Sequence, residues 1–282
     1  MASFPCKALE GQPVWHPDNL PAFPAVALKA LNLIAGRDTS LLELCNLIRA
    51  DAAFSSAILR VANSPLVAFS KNITSVMQAS MLLGFQRLKS VVLAVGLKDY
   101  LKQPFTPLLQ ACWRHSVACA MIAEHAAQAC RVDKDFAYTA GILHDIGRAA
   151  MAAAAPESFS HIAEIEANEP RDLLPREREL FGMDHCQAGA WLVKVWGLPM
   201  VFLEVTSYHH DKTPEMQPGA RVVAASCTLA DVLGFGVAPY LVPPSYRQVV
   251  SGFPEVARGG FPPEAETLAA EIASKIKVIE SV

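Results

Sequence analysis

The stretch Gly141-Ile142-Leu143-His144-Asp145-Ile146-Gly147-Arg148 sets a histidine beside an aspartate in an otherwise apolar segment. From Phe136 to Met151 the neighbours are small and apolar: Ala137, Ala140, Gly141, Ile142, Leu143, Ile146, Ala149 and Ala150. A helix of this composition is buried over most of its circumference. An ionised carboxylate and an imidazole placed there cost free energy unless both find partners. A bound cation is one such partner, and its remaining ligands would stand on the inner faces of other helices.

The rest of the chain supplies them. His115 lies on the line Leu108, Cys112, His115, Cys119, Ile122, at the three- and four-residue steps of an inward helix face. His185 lies on His185, Gly189, Leu192, Trp196, and His209 on Phe202, Thr206, His209, with His210 beside it. Asp231 follows Val223 and Cys227 at steps of four, an acid on a buried stripe. Any one of these is as well explained by a hydrogen-bonded core residue, and His16, His125 and His161 fit that description or plain exposure. Five of the eight histidines on inner faces of separate helices favour a metal. Three nitrogens and two carboxylates suffice for one hard or borderline cation; His185 and His210 add donors for a second.

The order His115, His144-Asp145, Asp231 resembles the HD superfamily of metal-dependent phosphohydrolases, and His185 with His209-His210 resembles its HD-GYP branch. Upstream, Leu20-Pro21-Ala22-Phe23-Pro24-Ala25-Val26-Ala27, the run Ile58-Leu59-Arg60-Val61-Ala62-Asn63-Ser64 and the segment Ile73 to Gly84 with its Leu82-Leu83-Gly84 are similar to the HDOD family. That family is HD-related and contains bacterial signalling and regulatory proteins. The resemblance spans roughly Leu20 to Leu233. It implies that His115, His144, Asp145 and Asp231 surround a first metal, with His185, His209 and His210 around a second to which Asp145 bridges. Iron or manganese suits such a site best, and zinc or nickel also fits nitrogen and oxygen donors. The chain departs from the HD-GYP pattern at two places. Arg148 stands where that branch has a lysine; it can bind phosphate but stays protonated and cannot act as a general acid. Asp211-Lys212-Thr213-Pro214-Glu215-Met216 follows the histidine pair in place of Gly-Tyr-Pro.

At 282 residues, 52% hydrophobic and 18% charged, the composition is that of a globular chain with a sizeable core. A net charge of -3 and scattered lysines and arginines leave no electrostatic footprint for nucleic acid. Seven cysteines, an odd number without a CxxC pair, read as buried free thiols of a reducing cytosol. No secretory signal precedes the first helix, and no run reaches the ~18 apolar residues of a membrane span. The chain is expected to be cytoplasmic and to reach no membrane.

Periodicity and punctuation predict an all-α fold, a multi-helix bundle of two packed helical subdomains. Residues 1–20 read as an irregular arm. A first subdomain, 21–106, carries helices at Pro21–Ile34, from a Ser40 cap with Glu43 to Ile48, at Ala52–Asn63, at Ser75–Leu83 closed by Gly84, and at Phe85–Tyr100. Pro104-Phe105-Thr106-Pro107 marks the boundary. An HD-like subdomain, 107–236, carries helices near 108–130, 134–152, 156–168, 172–182, 185–196, 199–210 and 219–234. Residues 237–282 give a Pro- and Gly-rich surface wrap, Pro239 to Pro263, and a last amphipathic helix from Glu264 to Ile279 with Leu268, Ile272, Ile276 and Ile279 inward.

Two functions from different classes fit this reading. One is a signal-transduction module that holds a structural or sensory metal and binds a partner signalling protein. The other is a metal-dependent phosphohydrolase acting on a nucleotide or another phosphate ester. A metal-free core in which His144 and Asp145 pair is a third, simpler arrangement. A cleft that admits phosphate to the metal would favour the enzyme, and a sealed site the module.

Overall fold

Short polar side chains set the helix starts. In the computed structural model, which describes residues 27–29, 31, 40–64, 73–100, 106–160, 173–211, 215–237 and 244–280, all regular structure is helical. Ser40 caps α1 (Leu41–Arg49) through the expected capping box with Glu43. Then come α2 (Ala52–Ala62) and α3 (Val76–Tyr100), the latter broken at Gly84, whose φ of 72° is the left-handed value glycine permits. Thr106 caps α4 (Pro107–Ala127), with Pro107 in the first turn, where a missing N–H leaves nothing unpaired. Asp133 caps α5 (Lys134–Leu143), and α6 (Ile146–Ala154) follows after the two residues His144 and Asp145. Residues 156–160 are helical as well. The chain continues with α7 (Leu173–Phe181), α8 (His185–Val195) behind an Asp184–Gln187 capping box, and α9 (Leu203–Tyr208) behind a 3-10 turn at Met200–Phe202. Last are α10 (Pro218–Ala230) with a π turn at Asp231–Phe235, α11 (Tyr246–Ser251), α12 (Glu255–Arg258) and α13 (Ala265–Glu280).

The core runs through all of these elements. α4 is its axis: it packs against α5, α6, α10 and α13, and buries Leu109, Cys112, Trp113, His115, Cys119 and Ile122. Trp113 is fully enclosed and donates its indole N–H to the Ala94 carbonyl of α3 at 2.9 Å, so the largest buried ring also ties two helices. The four inward residues expected of α13, Leu268, Ile272, Ile276 and Ile279, are its buried ones. No single helix among the described residues is long and apolar enough to cross a membrane.

Two expectations are corrected. The helix expected over 134–152 is two helices, with Asp145 at φ -107°, ψ 20° between them. Its sequence is apolar on both sides of the break, so periodicity alone reads straight through. The physical cause is a side chain: His144 Nδ1 donates to the Gly141 carbonyl at 2.7 Å, a carbonyl that a continuing helix would give to the Asp145 N–H. The stretch from Pro239 to Pro263, expected as a Pro- and Gly-rich surface wrap, holds short helices among its described residues. It contains α11, opened by a Ser245–Gln248 capping box, and α12, which together with the turns beside them bury Val249, Phe253, Ala257 and Phe261. Gly252 and Pro254 cut it into pieces too short for a period to show. The arm 1–20 with His16, most of the helix Pro21–Ile34, the Pro104-Phe105 part of the boundary and residues beyond 160 of the helix 156–168, His161 included, lie outside the described residues.

Candidate metal centre

Six of the seven expected ligands come together in the interior, where α4, α5, α6, α8 and α9 meet. His115, His144 and His185 are wholly buried, Asp145 is 2% exposed and His209 3%. His210 is exposed as a residue, yet its ring turns inward, Nε2 lying 3.0 Å from His185 Nε2. The seventh, Asp231 at the end of α10, stands behind His115 rather than among the other donors: its Oδ1 is 3.1 Å from His115 Nδ1. The angle of that contact falls short of a hydrogen bond, so it is best described as an ion-pair contact.

Hydrogen bonds fix which nitrogen faces the centre. His144 Nδ1 donates to the Gly141 carbonyl at 2.7 Å and His209 Nδ1 to the Val205 carbonyl at 3.1 Å. Both rings sit just past the ends of their helices and take up a carbonyl there. His185 Nδ1 donates to Glu177 Oε2 at 2.6 Å, and the same oxygen accepts the His185 backbone N–H at 2.8 Å. Each Nδ1 therefore holds the proton and each Nε2 carries a lone pair. Of these, the lone pairs of His185 and His209 converge at 3.3 Å, and that of His144 lies 3.2 Å from His115 Nε2, which can donate to it because no hydrogen bond fixes the His115 tautomer.

Lone pair against lone pair at this distance is repulsive unless a positive group lies between, which Arg148 Nη2, 3.2 Å from His185 Nε2, or a bound cation can supply. Burial, with neighbouring positive groups, holds His144, His185 and His210 well below the usual histidine range, so a proton is a poor candidate there. His115 goes the other way, because Asp231 overrides the effect of burial. Asp145 Oδ1 completes the arrangement, 3.4 Å from His185 Nε2 and 3.6 Å from His209 Nε2, buried and without a hydrogen bond. Donors bound to one ion at about 2.0–2.3 Å stand roughly 3–4 Å from one another. The near-equilateral triangle of Asp145, His185 and His209 has that spacing, and Cys227 Sγ lies 3.6 Å from His115 Nε2. The donor set fits a transition ion.

One participant, Glu177, was not expected from the sequence. Glu177 on α7 is wholly buried and orients His185; burial pushes its carboxyl up to about 7 despite Arg148 nearby. A signal existed, since Leu173, Glu177 and Phe181 form a stripe at steps of four with the acid in its middle. Arg148, expected as a phosphate contact, instead turns into the cluster and pairs Nη1 with Asp145 Oδ2 at 2.8 Å. That pairing keeps the Asp145 carboxyl, against the effect of its burial, well below its ordinary range. Cys186 and Cys227 are thiols of raised pKa through burial, Cys186 Sγ lying 4.0 Å from His209 Nδ1.

A protein whose described residues are all-α, with a buried His/Asp cluster where α4, α5, α6, α8 and α9 meet, is thus the class that fold and site define. Within it, the family model of the HDOD domain matches residues 20–212, and the chain belongs to that family. The fold is that of an HDOD domain protein from Geobacter sulfurreducens, with a TM-score of 0.73, 25% identity, and 93% of this chain and 91% of that one covered. A protein of Marinobacter aquaeolei VT8 provisionally assigned to signal transduction superposes with a TM-score of 0.67 at 21% identity, over 96% of this chain and 61% of that one. One from Shewanella amazonensis SB2B, provisionally assigned as a phosphohydrolase, also gives 0.67 at 21% identity, with 93% of each chain covered. In sequence, an uncharacterised protein of Treponema pallidum (strain Nichols) is 25% identical over 198 residues, 69% of this chain; the match spans 38% of that relative's length.

Proposed function

We propose that this chain is a metal-holding regulatory module of the cytoplasm, which passes a signal to a partner protein and turns over no substrate. The observation that carries the metal is the buried convergence of His185 Nε2, His209 Nε2 and Asp145 Oδ1 at 3.3, 3.4 and 3.6 Å, the spacing of donors around one ion. The observation that favours the module over an enzyme is closure: His115, His144 and His185 have no exposed surface and Asp145 almost none. In this reading His115, His144, Asp145, His185, His209 and His210 face the metal, while Asp231 and Glu177 stand behind His115 and His185. Carboxylates in that position fix ring orientation and raise ligand basicity. Nitrogen and carboxylate donors with sulfur close by suit iron better than manganese, with zinc as the next candidate. Six free cysteines among the described residues agree with a reducing compartment.

The competing reading, a metal-dependent phosphohydrolase for nucleotides or other phosphate esters, draws on His210, through which the cluster reaches the surface. A bound metal would there lower the pKa of water and polarise a phosphate. One experiment orders the two: metal content by mass spectrometry on protein purified without an affinity tag, wild type beside His144→Ala. The proposal expects near-stoichiometric transition metal in the wild type, its loss in the variant, and no turnover of a nucleotide and phosphate-ester panel by the loaded protein. Metal in neither protein overturns both readings, and metal with turnover establishes the enzyme.

A further inference from the structure

Arg148 sits inside the donor cluster, only 5% exposed. Its Nη1 pairs with Asp145 Oδ2 at 2.8 Å; its Nη2 is 3.2 Å from His185 Nε2, 3.4 Å from His185 Nδ1 and 3.5 Å from His210 Nε2. Its Nε lies 3.9 Å from Glu177 Oε1. One guanidinium thus reaches Asp145, His185 and His210, three of the four donors that would hold a second ion, and the carboxylate behind one of them. We infer that Arg148 is a built-in cation in the place of that second ion, so that the site holds a single metal. The inference rests on the proposed metal-binding function and narrows it to a stoichiometry.

Charge supports it. Asp145, Glu177 and Asp231 are the carboxylates of the cluster, at 2%, 0% and 13% side-chain exposure. With all three ionised, Arg148 and one divalent ion together neutralise them. A second divalent ion would leave two positive charges uncompensated in the interior, where an unpaired charge is costly. Geometry agrees with this, for a dication bound to His185 and His210 would lie within a few ångströms of a guanidinium that cannot deprotonate. Arginine at this position is also not free to leave, since its head is fastened to Asp145 through the turn between α5 and α6.

The test is a count of ions. Wild type and Arg148→Met are loaded with excess Mn2+, freed of unbound metal, and measured by mass spectrometry and electron paramagnetic resonance. The wild type is expected to saturate at one ion per chain with the spectrum of an isolated Mn2+. Arg148→Met, which keeps the bulk and removes the charge, is expected to bind two, with the spectrum of a coupled pair, and Arg148→Lys to remain at one. A wild type that takes two ions overturns the inference, as does a folded Arg148→Met that stops at one. If Arg148→Met does not fold, the wild-type titration decides alone, since saturation at one or at two separates the outcomes. A wild type with no ion in its cluster overturns the metal-binding function itself, a result distinct from all of these.

Discussion

At the scale of the residue, the site depends on the proton position of each imidazole. Glu177 does this for His185 with a single oxygen that accepts from both the ring and the backbone. Glu177→Gln keeps the shape but presents an amide that need not accept, so the tautomer is no longer enforced. Loss of such a partner costs 10–100-fold in metal affinity. The expected result is a drop of about that size in a competitive chelator titration, with the far-ultraviolet spectrum unchanged; an unaltered affinity would remove Glu177 from the site. His115, His144, His185 and His209 were readable because an inward-facing histidine violates the apolar period of its helix. Glu177 violates the period of Leu173 and Phe181 in the same way, but glutamate is so common on helix surfaces that a short helix hides it. The inward turn of Arg148 was not readable at all. Side-chain direction is decided by Asp145 and Glu177, which only the folded chain brings together.

At the scale of the element, two glycines separate crowding from conformational strain. A Cβ on Gly147 would meet the His185 carbonyl oxygen at 2.0 Å and the Gly189 nitrogen at 2.4 Å, both backbone atoms of α8 that cannot yield without moving the helix. A Cβ on Gly84 would meet nothing within 4 Å, so its cost is only the positive φ. Gly147→Ala is expected to destabilise by about 3 kcal/mol or more, the upper range of overpacking, and to release metal because α6 and α8 carry Asp145 and His185. Gly84→Ala should cost about 1–2 kcal/mol, the left-handed penalty, and leave metal content unchanged. Urea denaturation with metal analysis separates them, and equal losses would contradict the close approach of α6 to α8. Several helix starts were legible because caps such as Ser40–Glu43 are local. The break at Asp145 was not, since it arises from a ring that takes its own helix's carbonyl. α11 and α12 stayed hidden because four to six residues are too few to show a period.

At the scale of the whole molecule, the centre fastens helices that are distant in sequence, from His115 on α4 to Asp231 after α10. A ligand that binds only the folded state adds about 4 kcal/mol at a thousand times its dissociation constant. For a chain of this size each kcal/mol moves Tm by ~2–4 °C, so chelation is expected to lower Tm by roughly 10 °C. The metal-free protein should then show a characteristic dependence on pH. Burial holds His144, His185 and His210 well below their ordinary value when folded. As pH falls below about 6.5, the unfolded chain takes up protons at these positions that the folded chain refuses. Stability is therefore full above that pH and lost as pH drops through it. His115, raised by the Asp231 carboxylate against its burial, opposes this, but it is one group against three. Thermal melts of chelated protein should be flat in pH above the histidine range and fall on the acid side, more steeply than those of His185→Phe, which removes one of the three groups. A Tm that rises on acidification would mean that the imidazoles of the metal-free cluster are charged, and the lone-pair argument for a metal would fail with it.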